Sequence, residues 1–349
     1  MRFLVLNRTP VAQYRYPEFL GEGHDVVLIT DAAAVPADPD ERTAALDGYA
    51  HVEVVEEFHA NPAVELLALR LHEKWAFERL LALSESDLSR GARLRAAMGV
   101  PGHSAAGVDA FRDKYAMKSA LWEAGVPLLP FAAVRHATDL ADFIAGHGYP
   151  VVVKPRRGGG PEDVEVLHAP DDLPAFLARH PETGTDDGAH LLAETALEHE
   201  AFHVDGVLVN GEIRLVRSCA APGGGAGAGT RRGLPAVGAP PEPPEPPEPH
   251  DLLAAALCAL AVAALRALPA PRDCLFHADV SRGRDGALVL DGISVGARDG
   301  AAEGVPVPAT GPRLAELHLR SLTGNSPAPL PAYPPRTAGP ALLPSRPYW

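Results

Sequence analysis

Short apolar runs alternate with segments of helical periodicity in the first hundred residues. Residues 3–6 and 25–29 are apolar runs separated by about twenty residues, which is typical of parallel strands connected by helices. Between roughly 62 and 97 the apolar side chains recur every three or four residues and predict helix. We therefore expect an open parallel α/β sheet as the first domain.

The pattern changes after residue 110. Residues 114–122 predict a helix that Asp113 caps. The β-branched run 151–155 predicts a strand that carries Lys154 near its end, and residues 201–213 predict a hairpin that turns at an Asn-Gly pair. Further strands are predicted at residues 191–194, 274–280 and 287–291. This half of the chain is therefore expected to be α+β.

Three segments differ in composition from the rest. Residues 220–249 combine glycines with Pro-Pro-Glu repeats and predict an exposed, mobile loop, and the proline-rich residues 326–349 predict an extended tail. The apolar run 252–265 is shorter than the ~20 residues that a membrane span needs. We interpret that run as a buried helix.

Charge and cysteine content narrow the functional class. The 349 residues include 31 Lys and Arg against 45 Asp and Glu, a net charge of −14. This charge repels phosphate backbones and anionic lipid, so we expect neither nucleic acid nor a membrane as a partner. The three cysteines form no CxxC or zinc pattern, and the N-terminus lacks the long apolar region of a signal peptide. A cytoplasmic protein is expected.

Charged and glycine residues recur along the predicted elements in a defined order, which is lysine, lysine, glycine loop, carboxylate pair, carboxylate pair. These residues are Lys114, Lys154, Gly158, Gly159, Gly160, Glu194, Glu200, Asp279 and Asp291. The order resembles the ATP-grasp superfamily from about residue 111 to residue 326. Within that superfamily it is most similar to carboxylate–amine ligases that make dipeptides or peptide-like amides.

The resemblance implies a fold and a division of the chain. The expected fold is ATP-grasp, α/β with an α+β C-terminal half, preceded by an open parallel-sheet pre-grasp domain at residues 1–110. A lid and central subdomain would span 111–193. A C-terminal subdomain would span 194–325, include the mobile loop 220–249, and precede the tail at 326–349.

The resemblance also implies nucleotide contacts. Lys114 and Lys154 match the lysines that hold the ATP phosphates, and two ammonium groups neutralise the charge of a triphosphate. The glycines Gly158, Gly159 and Gly160 let backbone N–H groups approach phosphate oxygens. ATP is therefore the expected nucleotide.

Carboxylates are expected at the nucleoside and at the metal. Glu194 matches the carboxylate near the adenine, Glu200 the one that accepts from both ribose hydroxyls, and the backbone of Leu197 would face the adenine edge. Asp279 and Asp291 match the positions of metal-binding glutamates, and their oxygens suit Mg²⁺. The resemblance therefore implies Mg²⁺ as the metal.

The chain departs from the family after Asp291. Ile293 stands where the family has a metal ligand, and Val295 stands where it has an arginine that stabilises the acyl-phosphate oxyanion. We expect Arg217 or Arg298 to supply the catalytic positive charge. Other sources are Arg231, Arg232 and Arg282.

The expected function is an ATP-dependent ligase in small-molecule or peptide biosynthesis, which phosphorylates a carboxylate and lets an amine displace the phosphate. Its partners would be a small-molecule carboxylate and an amine, and a homodimer is compatible with this function. Two alternatives stay open. One is a pseudoenzyme that keeps the fold as a nucleotide-binding or partner-binding subunit, and the other is a ligase with a non-amine nucleophile.

Overall fold

A computed structural model describes six segments of the chain, residues 1–158, 163–185, 190–196, 199–221, 249–297 and 311–324. The strands are β1 (Arg2–Asn7), β2 (Asp25–Asp31), β3 (His51–Val55), β4 (Arg79–Ala82), β5 (Phe131–Val134), β6 (Val151–Pro155), β7 (Glu165–Leu167), β8 (Leu191–Thr195), β9 (His199–Val209), β10 (Glu212–Ala220), β11 (Cys274–Gly283) and β12 (Leu288–Val295). The helices are α1 (Tyr16–Leu20), α2 (Pro39–Ala45), α3 (Ala63–Trp75), α4 (Leu88–Met98), α5 (Ala105–Arg112), α6 (Lys114–Glu123), α7 (Ala137–His147), α8 (Asp172–Arg179), α9 (Pro249–Ala267) and α10 (Gly311–Leu322). The tail 326–349 and most of the predicted loop, residues 222–248, lie outside the described residues.

The first sheet is parallel, as its apolar runs predict. Its strand order is β3-β2-β1-β4. Successive residues of β1 enter two different cores, Phe3 one of them and Leu4 the other, because helices cover both faces of the sheet. The predicted open parallel sheet is confirmed.

The prediction of helix from 62 to 97 is wrong in its middle. Ala76 has the left-handed φ of 46° and ends α3. The apolar residues that follow form β4 at the edge of the first sheet, and α4 begins only at Leu88. A short apolar run that is buried on both sides satisfies helical and strand spacing equally, so periodicity alone could not separate them.

The second sheet is antiparallel and has its own core. Its order is β5-β8-β6-β7, with α7 and α8 contributing Phe143 and Phe176 to the buried cluster beneath it. The strands predicted at 151–155 and 191–194 are confirmed as β6 and β8.

The third sheet, with order β10-β9-β11-β12, carries the predicted hairpin as β9 and β10, and the strands predicted at 274–280 and 287–291 as β11 and β12. Asn210 and Gly211 have φ of 54° and 83°, the left-handed values that an Asn-Gly turn requires. One face packs on α6 and α9 in the largest core, and the other packs on the first sheet and α10. The apolar run 252–265 lies within α9, as predicted, and within the segments described no helix has the length and apolarity to cross a membrane.

The first and third sheets are joined directly by backbone contacts. The N–H of Ala297 donates to the carbonyl of Leu83 over 2.6 Å, and Ser84 pairs with Ala297 in a parallel bridge. Gly296, which precedes Ala297, has a φ of 105°, and a Cβ there would stand 2.7 Å from the Leu83 oxygen. The chain segment that follows β4 is therefore held against the end of β12.

Candidate functional site

The start of α6 is tied to the end of β6. Asp113 caps the helix, its carboxylate accepting from two backbone N–H groups of the first turn, and Arg156 donates to the same carboxylate over 2.8 Å. Lys114 donates from Nζ to the carbonyls of Pro155 at 2.9 Å and Gly158 at 2.6 Å. The cap predicted from the sequence is therefore present, and it places Lys114 beside the strand that carries Lys154.

The ammonium group of Lys114 is held in a partly buried position. Burial and the nearby charge of Lys154 together lower the pKa of Lys114 to about 8. Gly158 has a left-handed φ of 67°, and its carbonyl faces the ammonium group. An anion bound here would favour the charged form of both lysines. Gly159 and Gly160 lie outside the described residues.

Glu194 lies on β8 between two lysines. Its Oε1 is 2.5 Å from Nζ of Lys118, and its Oε2 contacts Nζ of Lys154. The side chains of Lys118 and Glu194 are only 1% and 7% exposed. Burial by itself would raise the pKa of Glu194, but the charges of Lys118 and Lys154 hold it below its usual range. The structure thus brings together Lys154 and Glu194, two of the residues that the sequence analysis assigns to the nucleotide.

Sequence reasoning missed Lys118 as a member of this cluster. It follows Lys114 by four residues on α6, so both side chains lie on one face of the helix. That spacing was the available signal. Lys118 and Lys154 contact the carboxylate and Lys114 lies within its field, so three ammonium groups surround one carboxylate and the excess positive charge suits a polyanion.

Glu200 lies apart from this cluster, near the start of β9. It is half exposed and pairs with Arg282 on β11 at 3.4 Å, a contact that the strand register places directly opposite. Leu197, expected to face an adenine edge, lies outside the described residues.

A break in strand register sets the position of the aspartate pair. Asp279 is opposite Gly292, but Val280 is opposite Leu290, so Asp291 is an extra residue on β12. Such a bulge re-aims the side chain of the inserted residue. The sequence spacing alone does not reveal this arrangement.

The two aspartates differ in environment. Asp279 accepts from His203 Nδ1 at 2.7 Å, and Asp291 accepts from Ser281 Oγ at 2.5 Å. Burial raises the pKa of Asp291; the Ser281 hydrogen bond and the charge of Lys118 oppose that rise, and the charge of Asp279 adds to it. Two carboxylates that repel each other in a partly buried place fit a divalent cation, which would offset their repulsion. Among the described residues, no group of three or more His, Cys, Asp or Glu side chains is placed to hold a metal ion.

The departure at Ile293 and Val295 has a structural reason. Both side chains are buried in the core beneath the third sheet. Beyond the bulge, Gly292 and Ser294 lie on the opposite face of β12, the face that carries Asp279 and His277. Ser294 hydrogen-bonds Glu85, which follows β4 in the first domain. The side chains that occupy the family's ligand and arginine positions in the sequence are therefore not at the site.

Glu85 forms a charged cluster that the sequence analysis did not identify. Arg112 donates to its Oε1 at 2.7 Å, and His277 Nε2 lies 3.3 Å from its Oε2. Burial would raise the pKa of Glu85, but the hydrogen bond and charge of His277 and the charge of Arg112 lower it to about 2. The cluster joins the segment after β4 to β11, two residues before Asp279.

Arg217 lies in the same row of the third sheet. It is opposite Asp205, which is opposite His277, which in turn is opposite Ser294. Residues directly opposite on antiparallel strands project from the same face. Arg217 is thus on the face that carries Asp279, while Arg298 lies outside the described residues.

Comparison with curated proteins finds ligases, although no family model matches the chain. It is 26% identical over 168 residues to the L-arginine-specific L-amino acid ligase of Bacillus subtilis, covering 48% of this chain and 41% of that protein. It is 32% identical over 106 residues to dapdiamide A synthase of Enterobacter agglomerans, covering 29% of this chain and 25% of that protein. The matched part spans less than half the length of these relatives.

Solved structures agree over most of the chain. An L-amino acid ligase from Bacillus licheniformis matches with a TM-score of 0.63 and 16% identity, covering 92% of this chain and 74% of that one. A biotin carboxylase–ATP complex from Campylobacter jejuni matches with a TM-score of 0.64 and 16% identity, covering 90% and 70%. At such identities the likeness concerns the fold. The expected fold class is confirmed: the chain has the ATP-grasp fold, with a parallel α/β sheet preceding the grasp sheets.

Proposed function

We propose that the protein is an ATP-dependent, ADP-forming carboxylate–amine ligase that makes an amide bond through an acyl phosphate. The observation that carries this proposal is the buried cluster of Lys118, Glu194 and Lys154, with Lys114 beside it and the aspartate pair within its field. The cluster brings a helix, two strands of the second sheet and a hairpin of the third to one place. The ligases among the sequence relatives support the reaction class.

The lysines and glutamates would bind the nucleotide. Lys114 and Lys154 would contact the phosphates, and Lys154 would exchange its contact with Glu194 for a phosphate oxygen. Glu194 would then be free to accept from the adenine amino group while it stays paired with Lys118. Glu200 would accept from the ribose hydroxyls. Residues 158–160 would complete the phosphate contacts through backbone N–H groups.

The aspartates would hold Mg²⁺. When bound, the ion neutralises phosphate charge and keeps the triphosphate in a reactive orientation. His203 and Ser281 each hold one of the two carboxylates in place through the hydrogen bonds already described. These contacts orient the oxygens that would face the ion.

The two chemical steps are a phosphoryl transfer and an acyl transfer. A carboxylate oxygen of the first substrate attacks the γ-phosphorus of ATP, and ADP leaves. The nitrogen of the amine then attacks the acyl carbon, phosphate leaves, and the nitrogen loses a proton. Arg217, on the site face of the third sheet, would stabilise the negative charge on the acyl oxygen. The chain's contribution is mainly positioning and charge neutralisation.

A product assay tests the reaction. Incubation with Mg·ATP and pooled amino acids should release ADP and phosphate in equal amounts, and only when both a carboxylate and an amine are present. Lys154→Ala should abolish this release, whereas Lys74→Ala, an exposed lysine on α3, should leave it unchanged. Release of AMP and pyrophosphate would contradict the acyl-phosphate route.

A pseudoenzyme is the second candidate, because each aspartate already has a hydrogen-bond partner and the family's arginine position is occupied by a buried valine. Titration of ATP with Mg²⁺ and with EDTA separates the two. In the ligase, Asp279→Asn and Asp291→Asn should weaken binding only when Mg²⁺ is present. Metal-independent affinity that neither substitution changes would support the pseudoenzyme.

A homodimer and a cytoplasmic location belong to the proposal as well, and sedimentation analysis tests the homodimer.

A further inference from the structure

A cavity separate from the nucleotide cluster lies along the outer edge of β4, between the first and third sheets. Its volume is about 500 Å³, within the range of small-molecule sites. Its walls combine apolar residues, among them Leu80, Leu83 and Leu322, with the charged residues Arg79, Arg272 and Asp273. The residues that we assign to ATP or Mg²⁺ do not line it.

Three polar side chains of this cavity have a buried nitrogen without a partner among the described residues. Arg95 donates to the carbonyl of Leu80 from Nε and Nη2, while its Nη1 has no partner. Nε2 of His103 and Nδ1 of His318 also have no hydrogen-bond partner, and these two residues are only 8% and 6% exposed. Unpaired buried polar atoms are costly, and three around one cavity call for an explanation. The three nitrogens are covered in the unliganded structure, so a ligand in the cavity would supply the missing partners once these side chains turn toward it.

The hydrogen-bond roles of two of these groups can be assigned. His103 is hydrogen-bonded to the backbone of Pro269. Proline has no N–H, so the backbone partner is its carbonyl, and the ring nitrogen that bonds it carries the proton. Burial and the charge of Arg95 lower the pKa of His103 to about 4, so the ring is neutral at pH 7. Nε2 is therefore an acceptor.

Arg95 has the opposite requirement. Burial lowers its pKa to about 10, so the guanidinium keeps its charge at pH 7 and its Nη1 can only donate. Its charge acts on both His103 and His318, which shows that the three groups lie close together. A matching ligand needs an acceptor, best an anion, for Arg95 and an N–H or O–H donor for His103.

We propose that this cavity is a second ligand site, which binds a small carboxylic acid with an apolar body and an N–H donor, as in an acylated amino acid or a short peptide. The carboxylate would pair with Arg95, the N–H would donate to His103, and the apolar part would lie against the leucines. Arg95 and His103 belong to the first domain, and His318 is on α10. A bound ligand would therefore bridge the first domain and the elements packed on the third sheet. This site does not depend on the proposed ligase reaction.

Calorimetric titration of the full chain with N-acetyl-L-leucine tests the proposal. We expect binding, and weakening by about tenfold or more when a methyl group replaces the N–H hydrogen, as in N-acetyl-N-methyl-L-leucine, or when a neutral amide replaces the carboxylate, as in N-acetyl-L-leucine amide. Arg95→Met should weaken binding by at least about tenfold for the same reason. The matched control, Arg93→Met on the same helix, removes an exposed arginine whose side chain pairs with Glu65 and should leave affinity unchanged.

A cavity-filling variant locates the site without touching its polar groups. Ala270 lines the cavity and is half-buried, so Ala270→Phe should abolish binding while the thermal midpoint of the unliganded protein stays close to wild type. Should Arg95→Met fail to fold, Ala270→Phe still decides the question. Absence of binding to the wild type would overturn the proposal. Binding that survives Ala270→Phe would place the probe elsewhere, for example at the catalytic carboxylate site, and would overturn it as well.

Discussion

The buried pair of Lys118 and Glu194 allows a quantitative test of how the site is held together. Glu194→Gln removes the carboxylate that both lysines share. Lys154 can turn toward solvent, but Lys118, 1% exposed, cannot. A buried charge left without its partner typically costs 3–5 kcal/mol, and we expect the free energy of unfolding to fall by about 3 kcal/mol.

The magnitude of the coupling follows from the other variants. Lys118→Met should cost only about 1 kcal/mol, because Glu194 keeps Lys154 and the methionine retains much of the apolar volume. The double variant leaves no buried charge unpaired and should cost about 1–2 kcal/mol, since replacing a buried ion pair by neutral groups is often close to neutral. The two single costs therefore exceed the double by about 2–3 kcal/mol.

Equilibrium unfolding in urea, followed by circular dichroism and tryptophan fluorescence, measures these values. Where the three sheets unfold in separate transitions, each transition is fitted on its own. The control cycle uses Glu200 and Arg282, whose side chains are 50% and 41% exposed at 3.4 Å, and should show a coupling below about 0.5 kcal/mol. Additive costs at Lys118 and Glu194, within the same ~0.5 kcal/mol, would refute the reading of a buried, shared charge.

Other predictions follow from single residues. Burial lowers the pKa of Lys114 to about 8 and a bound phosphate would raise it, so nucleotide binding near pH 8.5 should take up protons. Calorimetry in two buffers of different ionisation enthalpy measures this proton uptake, and Lys114→Met should remove it. His318 has a pKa lowered by burial to about 4, below its unfolded value, so its contribution to stability should be lost as pH falls from about 6.5 to 4, by up to roughly 3 kcal/mol. His318→Phe should flatten the pH dependence of the unfolding midpoint, and an unchanged slope would contradict a neutral buried imidazole. Gly296→Ala should destabilise by about 2 kcal/mol or more, because φ is 105° and a Cβ would meet a backbone oxygen, whereas Gly146→Ala, in open space on α7, should not; a thermal shift compares them.

Features that depend on neighbours within a few residues could be predicted from the sequence. The apolar runs of β1 and β2, the Asn210-Gly211 turn and the cap of Asp113 all follow from local rules for strands, turns and helix starts. The order of lysines, glycines and carboxylates along the chain was sufficient to identify the ATP-grasp resemblance, which the fold confirms. The positions of the individual site residues stay predictions.

Only the tertiary structure determined the contacts between elements that lie far apart in the chain. The apolar run at β4 became a strand because an edge of the first sheet was available to pair with it. Folding buried Lys118 against Glu194 and so added it to the candidate site, and the pairing of the segment after β4 with the end of β12 brought Glu85 to His277. The one-residue bulge at Asp291 places Ser294 on the face that carries Asp279 and buries the side chains of Ile293 and Val295. Local spacing does not encode register between strands or contacts across domains, since both depend on the free energy of packing the whole chain.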